Sequence, residues 1–339
     1  MQIKYNLWVS RAFLAKITAA ILVLLLSLLI SPFYTEGDQT RYIRVYEALP
    51  DLDLTEGFSV YYSITGSQEF VHFILSWVAS PFVEKDLFVA LSNSILAYVA
   101  MSLFQKWKAS VTIALLLILT NFYFLVLYFA AERLKFGFIF LALSMIYIDH
   151  VKRFSAFILL AFSSHAQVII VYVSILFNAF IKQILKLFRT WKVAKSTLFI
   201  IPFLFIPPLL VGNQIIAKFQ GYYDIQEFSL VEMARISIFL LLALWYSKKK
   251  NETFIIFIPI MIAVFLVGGF RINMFGYFAF LYYGMQFRGG WNFGVLATSG
   301  YFACSSIVFL ANIFQHGLGF FSPPSIFNVL RDFMLDSFW

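Results

Sequence analysis

Apolar residues fill this chain in runs of roughly 15–22 residues, each closed by a short cluster of charge, which is the pattern of helices cut to bilayer thickness. Spans are predicted near 12–33, 87–104, 110–129, 134–148, 153–166, 167–182, 197–212, 231–247, 253–268, 272–287 and 292–313, about eleven helices in all. The first run is too long for the apolar core of a signal peptide and has no small-x-small cleavage site, so it is expected to stay as the first span. One further apolar stretch, 68–83 (QEFVHFILSWVASPFV), is not counted. It is short, carries Glu69 and His72 and ends in Pro81-Phe82-Val83, and counting it would turn Lys106 and Lys108 to the outside. It reads as an amphipathic helix lying in the outer interface or re-entering from it.

Charge fixes the orientation. With the N-terminus inside, the inner segments hold 16 of the 25 Lys and Arg residues but two of the 17 acids, Asp149 and Glu252. That asymmetry follows the positive-inside rule. The acidic, tyrosine-rich segment 34–67, the segment 213–230 and an amphipathic tail over 314–339 then fall outside. The expected fold class is an all-α integral membrane protein, one transmembrane domain over 1–339 in a bacterial inner membrane. Composition agrees: 62% of residues are hydrophobic and mean hydropathy is +0.86. Only 12% are charged, about half the ~25% of a soluble domain. The net charge of +8 lies between spans, so it is a topology signal and not a nucleic-acid surface. The lone Cys304 excludes a disulfide within the chain and is read as packing.

Four ionisable residues then recur at one membrane level: Asp38 after the first span, Arg133 in AAERLKFGF, His165 in LLAFSSHAQVII and Arg271 in VGGFRINMFGY. Charge beside apolar sequence is costly and usually faces a protein interior or a wet cavity. Arg133, with Lys135 two residues on, opens a helix, where the fork of Arg and the helix dipole both suit a phosphate; snorkelling, or pairing with Glu132, is the alternative. Arg271 follows a Gly-Gly turn and precedes a run of aromatics, and could equally be an interfacial anchor. His165 lies 12 residues past Arg153, which at 1.5 Å per residue is ~18 Å, short of the ~30 Å apolar thickness. It should therefore sit below the surface, as a general base, a phosphate donor or a hydrogen-bonded cap. Arg44, beside Arg41 and Tyr42, is a further cationic candidate. Asp38 could act as a base, bind a sugar hydroxyl or pair with an arginine, and Glu69 could bind sugar or complement a helix dipole. No P-loop, GxGxxG, HExxH, GxSxG or Cys/His metal spacing is present, so neither a metal nor a nucleotide cofactor is expected.

The order of these pieces resembles the EpsG/Wzy-type polysaccharide polymerases of bacterial envelopes. The matching segments are GDQTRYIRVY, QEFVHFIL, ERLKFGFIFLALSMIYI, DHVKR, FSAFILLAFSSHAQVII and RINMFGYFAFLYY, spread over roughly 34–290. The family often has an Arg-Gln pair where this chain has Arg133-Leu134. The resemblance implies a membrane glycosyltransferase of GT-C-like architecture that joins undecaprenyl-pyrophosphate-linked oligosaccharide repeats into O-antigen or a related polysaccharide at the periplasmic face. It implies that Arg133, Arg271, Lys135 and Arg44 hold the pyrophosphate, that His165 or Asp38 serves the attacking hydroxyl, and that Glu69, Tyr42, Tyr222 and Tyr223 meet sugar. Membrane lipids surround such a protein, and a chain-length regulator and a flippase are its expected partners. The rival readings are another polyprenyl-phosphate-dependent glycosyltransferase, an O-antigen ligase, or a flippase or transporter.

Overall fold

A computed structural model of the chain describes residues 2–190, 230–269 and 271–320, and every regular element among them is helical. The first span is α1 (Gln2–Ile30). The segment after it folds into α2 (Asp38–Ala48), α3 (Leu54–Thr65) and the short apolar α4 (Phe70–Ala79). Then come α5 (Lys85–Lys106), α6 (Val111–Thr120), α7 (Phe122–Leu125), α8 (Glu132–Ile146), α9 (Val151–Ser164) and α10 (Ile169–Thr190). The described chain resumes with α11 (Leu230–Tyr246), α12 (Lys250–Val267), α13 (Ile272–Gln286) and α14 (Phe293–His316).

Five described stretches are long and apolar enough to cross a membrane: Arg11–Phe33, Lys85–Lys106, Ala166–Ile184, Lys250–Val267 and Arg288–His316. A bent pair, Val111–Thr120 with Phe122–Ala130, makes a sixth if counted as one span. The chain is thus a helical membrane protein. The predicted spans 134–148, 153–166, 231–247 and 272–287 fall on α8, α9, α11 and α13, which are shorter, at 15, 14, 17 and 15 residues. The ten residues of α4 rise ~15 Å, half of a hydrocarbon core, so α4 does not cross by itself. The predicted span 197–212, nearly all of the 213–230 loop with Tyr222 and Tyr223, and the tail from 321 lie outside the described residues.

Two features of the bundle decide where the polar residues end up. The first is the α1–α5 pair, the most extensive helix contact described. α1 buries Ala15, Ala19 and Val23, spaced by four, and turns Leu14, Ile21, Leu25 and Leu29 outward to the lipid side. Small residues let the backbones approach, and three hydrogen bonds add to this: Asn93 Nδ2 to Ser27 Oγ (3.0 Å), Ser94 Oγ to the Ala20 carbonyl (3.0 Å) and Gln105 Nε2 to the Ala12 carbonyl (3.0 Å). The second is a break in the predicted span 110–129, where α6 and the stretch Phe122–Ala130 meet at 53°. Asn121 at the joint is extended (ψ 129°); its side chain accepts from Tyr123 N (3.0 Å) and donates to Tyr277 Oη (2.9 Å). Carbonyls that the break releases find other donors, Ile118 taking Tyr128 Oη (3.1 Å) and Thr120 taking Ser306 Oγ of α14 (2.7 Å). After α7 the chain widens into a π turn, Val126–Ala130, before α8 begins. Irregular backbone at this depth is tolerable because all of Tyr123–Ala131 is buried in protein.

Cys304, expected to pack inside, is instead exposed on α14. His165 ends α9 in extended conformation (φ −162°, ψ 127°) and is pressed toward α8, where Gly137 leaves room. A Cβ on Gly137 would lie 2.8 Å from Val168 Cγ2 and 3.4 Å from the His165 Cβ. Gly137→Leu should therefore push the 165–168 turn off α8 and cost about 1–3 kcal/mol, the usual cost of overpacking. Gly300→Ala, with open space around it, should hold or raise the midpoint of thermal unfolding in detergent, and the pair of melts checks both.

Candidate functional site

The polar cluster at the α2–α4 end of the bundle starts from one side of an outer helix. α2 buries Gln39, Tyr42, Val45 and Tyr46, a helical stripe that Leu49 continues just past its end and that packs against the bundle, so Arg41 and Arg44 face outward. α3 lies beside it, started by Asp53, whose carboxylate accepts from Thr55 N (2.8 Å) and Glu56 N (2.9 Å). With α4 it closes a small core of Val45, Leu49, Tyr61 and Phe73. Glu69 is the residue at the start of α4, which packs on α8 and α9 and so aims Glu69 at their ends.

Two buried carboxylates hold the cluster together. Glu69, 7% exposed, is bonded through Oε1 to His165 Nδ1 and through Oε2 to Arg133 Nη1 at 2.9 Å. Arg133 Nε donates to Tyr42 Oη (2.9 Å), and the guanidinium stands 5.7 Å from the centre of the Tyr42 ring. Glu132, 2% exposed, takes Gln39 Nε2 (2.7 Å) and Lys85 Nζ (3.1 Å) on Oε1, and His72 Nε2 lies 3.9 Å from Oε2. Gln39 also donates to the Phe129 carbonyl at the end of the π turn (2.7 Å) and accepts from Lys85. His72 Nδ1 is hydrogen-bonded to Tyr61 Oη (3.0 Å), and its ring lies 5.5 Å from that of Tyr42, joining the two halves.

The sequence-predicted residues are therefore partly gathered. His165, Glu69, Arg133 and Tyr42 form one contiguous set. Asp38 and Arg271 form a looser pair beside it, Arg271 Nη2 standing 3.8 Å from Asp38 Oδ2 with side chains 33% and 44% exposed. Arg271 starts α13 after Gly268 (φ 92°) and Gly269, the latter packed so closely on Glu232 that a Cβ would overlap it. Arg44 is on the exposed face of α2. Lys135 is 1% exposed and turned the other way, donating to Asn93 Oδ1 on α5 (2.6 Å). An (i, i+2) pair on a helix diverges, so Arg133 and Lys135 serve different contacts. Glu132, Gln39, Lys85 and His72 are the members that the sequence did not single out as a set. In sequence Glu132 reads as a partner for Arg133 and His72 as one polar residue of the 68–83 stretch, while a Gln in a loop and a Lys at a span end carry no signal of their own.

Electrostatics ties the groups together. Burial raises the Tyr42 phenol well above its ordinary value; Arg133 opposes this, and Asp38, Glu132 and Glu69 add to it. The Tyr34 phenol is pushed up to about 12, by burial first and then by Asp38 and Glu132, with Arg271 opposing. Tyr42 thus feels both buried carboxylates together with Asp38, and Tyr34 feels Glu132 together with Asp38 and Arg271. Burial also lowers His72 below its ordinary 6.5, outweighing the pull of Glu132, so this imidazole is neutral at pH 7. Packing here is dense. The cavity bounded by Gln39, Lys85, Glu132, Tyr34 and Phe129 is about 10 Å3, space for about one water. Among the described residues no three His, Cys, Asp or Glu side chains are grouped to hold a metal ion.

Fold and site together define a helical membrane protein with a buried ionic cluster at one end of its bundle. No family model, curated protein or solved structure matches the chain.

Glu132→Ala would leave Lys85 without its buried carboxylate and should cost about 3–5 kcal/mol. Asp38→Asn touches a half-exposed pair and should cost under about 1 kcal/mol; unfolding of both variants in detergent gives the comparison. Because folded His72 resists protonation, the unfolded state binds the extra proton. His72 thus stabilises fully above pH 6.5, and that share is lost as pH falls below it. The pH slope between 7 and 5 should flatten in His72→Gln when melts are run across that range.

Proposed function

We propose that the protein is a membrane glycosyltransferase that polymerises lipid-linked oligosaccharide repeats, of the EpsG/Wzy kind that its sequence resembles, in a fold of about eleven spans with GT-C-like organisation. The observation that carries the reading is Glu69 joining His165 to Arg133, a base and an anion binder fixed on one carboxylate. In this reaction a hydroxyl of the acceptor sugar attacks the anomeric carbon of the donor. The new C–O bond forms as the bond to the pyrophosphate breaks, and undecaprenyl pyrophosphate leaves. Glu69 holds Nδ1 of His165 and so sets ring orientation and tautomer, and the hydroxyl proton passes to Nε2. Arg133 and Arg271 stabilise charge developing on the leaving group, an electrostatic contribution made by fixed donors. Asp38 is assigned to Arg271, which stands 3.8 Å from it, and the base to His165.

On this reading the substrate binds at the rim of the cluster, because the packing at Glu132 is dense while Arg133, Arg271 and Asp38 keep part-exposed side chains. Transport fits less well. The buried acidic, basic and histidine side chains among the described residues, Glu69, His72, Glu132, Lys135 and His165, all belong to one end of the bundle, whereas a carrier needs a charged route through it.

Surface polysaccharide from cells carrying each variant, run on a gel, tests the reading. His165→Ala should reduce polymer formation by about 10²–10⁴-fold, the contribution of a general base. Arg271→Ala and Arg133→Ala should collapse long polymer to single-repeat products while the protein still inserts. Arg133→Lys should not restore it, because one ammonium cannot replace the planar fork. Normal chain lengths in the His165 and arginine variants would overturn the assignment. Absence of even the single repeat would point to a ligase.

A further inference from the structure

A second cavity lies at the opposite, lysine-rich end, and the polar cluster has no part in it. It encloses about 460 Å3 between α5, α8, α10, α12 and α13, within the ~300–1,000 Å3 of ligand pockets. Its walls are aliphatic along most of their length, with Leu96, Leu141, Ile175 and Ile260 among them. Ser174 lines it too, but its hydroxyl is bonded back to the Ile170 carbonyl (2.8 Å). Toward the polar cluster the cavity ends on phenyl rings: Phe138 stacks on Phe275 (5.2 Å), and Phe278 meets both Phe138 (5.2 Å) and Phe124 (5.4 Å). At the other end its lining is Lys106, Trp107, Lys108 and Gln286, with Tyr282 packed edge-on against Trp107 (5.5 Å). Aromatic rings and cations grouped there match the headgroup level of a bilayer.

The backbone at that mouth carries an independent mark. Two non-glycine residues of the described chain have left-handed φ, Lys108 (66°) and Arg288 (52°). Their turns are bonded to each other, Ser110 N donating to the Gly289 carbonyl (2.8 Å). A helix end in this conformation usually takes glycine, and a side chain there is strained. That both positions carry an exposed cation points from strain to use. Lys106 is occupied by the Ile146 carbonyl (2.6 Å) and Asp149 (3.5 Å), while Lys108 makes no ion pair with a described residue and Arg288 lies against the Phe287 ring (5.4 Å).

We infer that this cavity is a lipid site: it takes one hydrocarbon chain of an anionic phospholipid from the leaflet on the lysine-rich side, with the phosphate held by Lys108 and Arg288. The positive-inside rule makes that the cytoplasmic leaflet, whose anionic lipids attract such cations. The phenyl floor closes the cavity toward the polar cluster, so the occupant's headgroup cannot be at Arg133. The inference is independent of the glycosyltransferase reading, and either can fail alone.

The test uses the full chain in phosphatidylcholine nanodiscs carrying a trace of phosphatidylglycerol with a photoreactive acyl chain, the labelled residues being read by mass spectrometry. Labels should fall on lining residues such as Met145, Ile175 and Ala279, and the same chain on phosphatidylcholine should label them roughly tenfold less. Lys108→Gly with Arg288→Gly should remove that preference while the melting midpoint holds or rises, because glycine relieves both left-handed positions. Ala142→Phe, filling the cavity from α8, should abolish labelling of both probes. Equal labelling by the two headgroups, or labelling unchanged in the double glycine variant, would overturn the inference. So would labelling of the cavity by a photoreactive polyprenyl phosphate in preference to phosphatidylglycerol.

Discussion

Taking a carboxylate out of water costs several kcal/mol unless cations and donors replace the solvent, and this bundle does so twice within one cluster. Glu69 and Glu132 are the two anions, and most of the local architecture is what each needs around it. Glu69 requires Arg133 and His165, which requires α9 to stop where it does and α8 to present Gly137 to the turn beyond it. Glu132 requires Lys85 and Gln39, which requires α2 to lie with its buried stripe against the start of α5. The outer helices are therefore held to the bundle by charge as well as by the small apolar core under α3 and α4.

That arrangement also divides labour between the anions. Glu132 is enclosed by framework groups, and the neutral His72 beside it packs among Tyr42, Tyr61 and Phe136. Glu69 instead engages the two residues with the chemistry to handle a hydroxyl and a phosphate. Tyr42 touches both sides, through its hydroxyl to Arg133 and its ring to His72, so movement at one carboxylate is felt at the other.

Much of this was legible in the sequence, for a definite reason. A lone Arg, His or Asp in apolar surroundings must be accounted for, so Arg133, His165, Asp38 and Arg271 stand out; helices cover the predicted spans that fall on described residues, but α2 and α3 lie in a segment that reads as a loop, and five or six stretches are long and apolar enough to cross. What stayed hidden were residues whose meaning depends on partners. Gln39 and Asn93 are neutral, and Lys85 looks like any lysine at a span end until Glu132 is beside it. Lys135 lies two residues from Arg133, a spacing that reads as reinforcement in sequence, although helical geometry sends the two apart. The break at Asn121 was invisible because both sides of it are equally apolar; a hydropathy window averages over a joint that one asparagine makes.

The short helices around the cluster have a consequence for the surrounding membrane. At 1.5 Å per residue, α8, α9, α11 and α13 rise only about 21–26 Å, against ~30 Å of hydrocarbon. Where such a helix faces lipid, the mismatch is met by local thinning of the bilayer, by snorkelling of flanking residues or by association, each at a fraction of a kcal/mol per Å. Thinning beside α9 and α11, whose Leu159, Leu160, Val231 and Ile238 face outward, would bring the headgroup level nearer to the ionic rim.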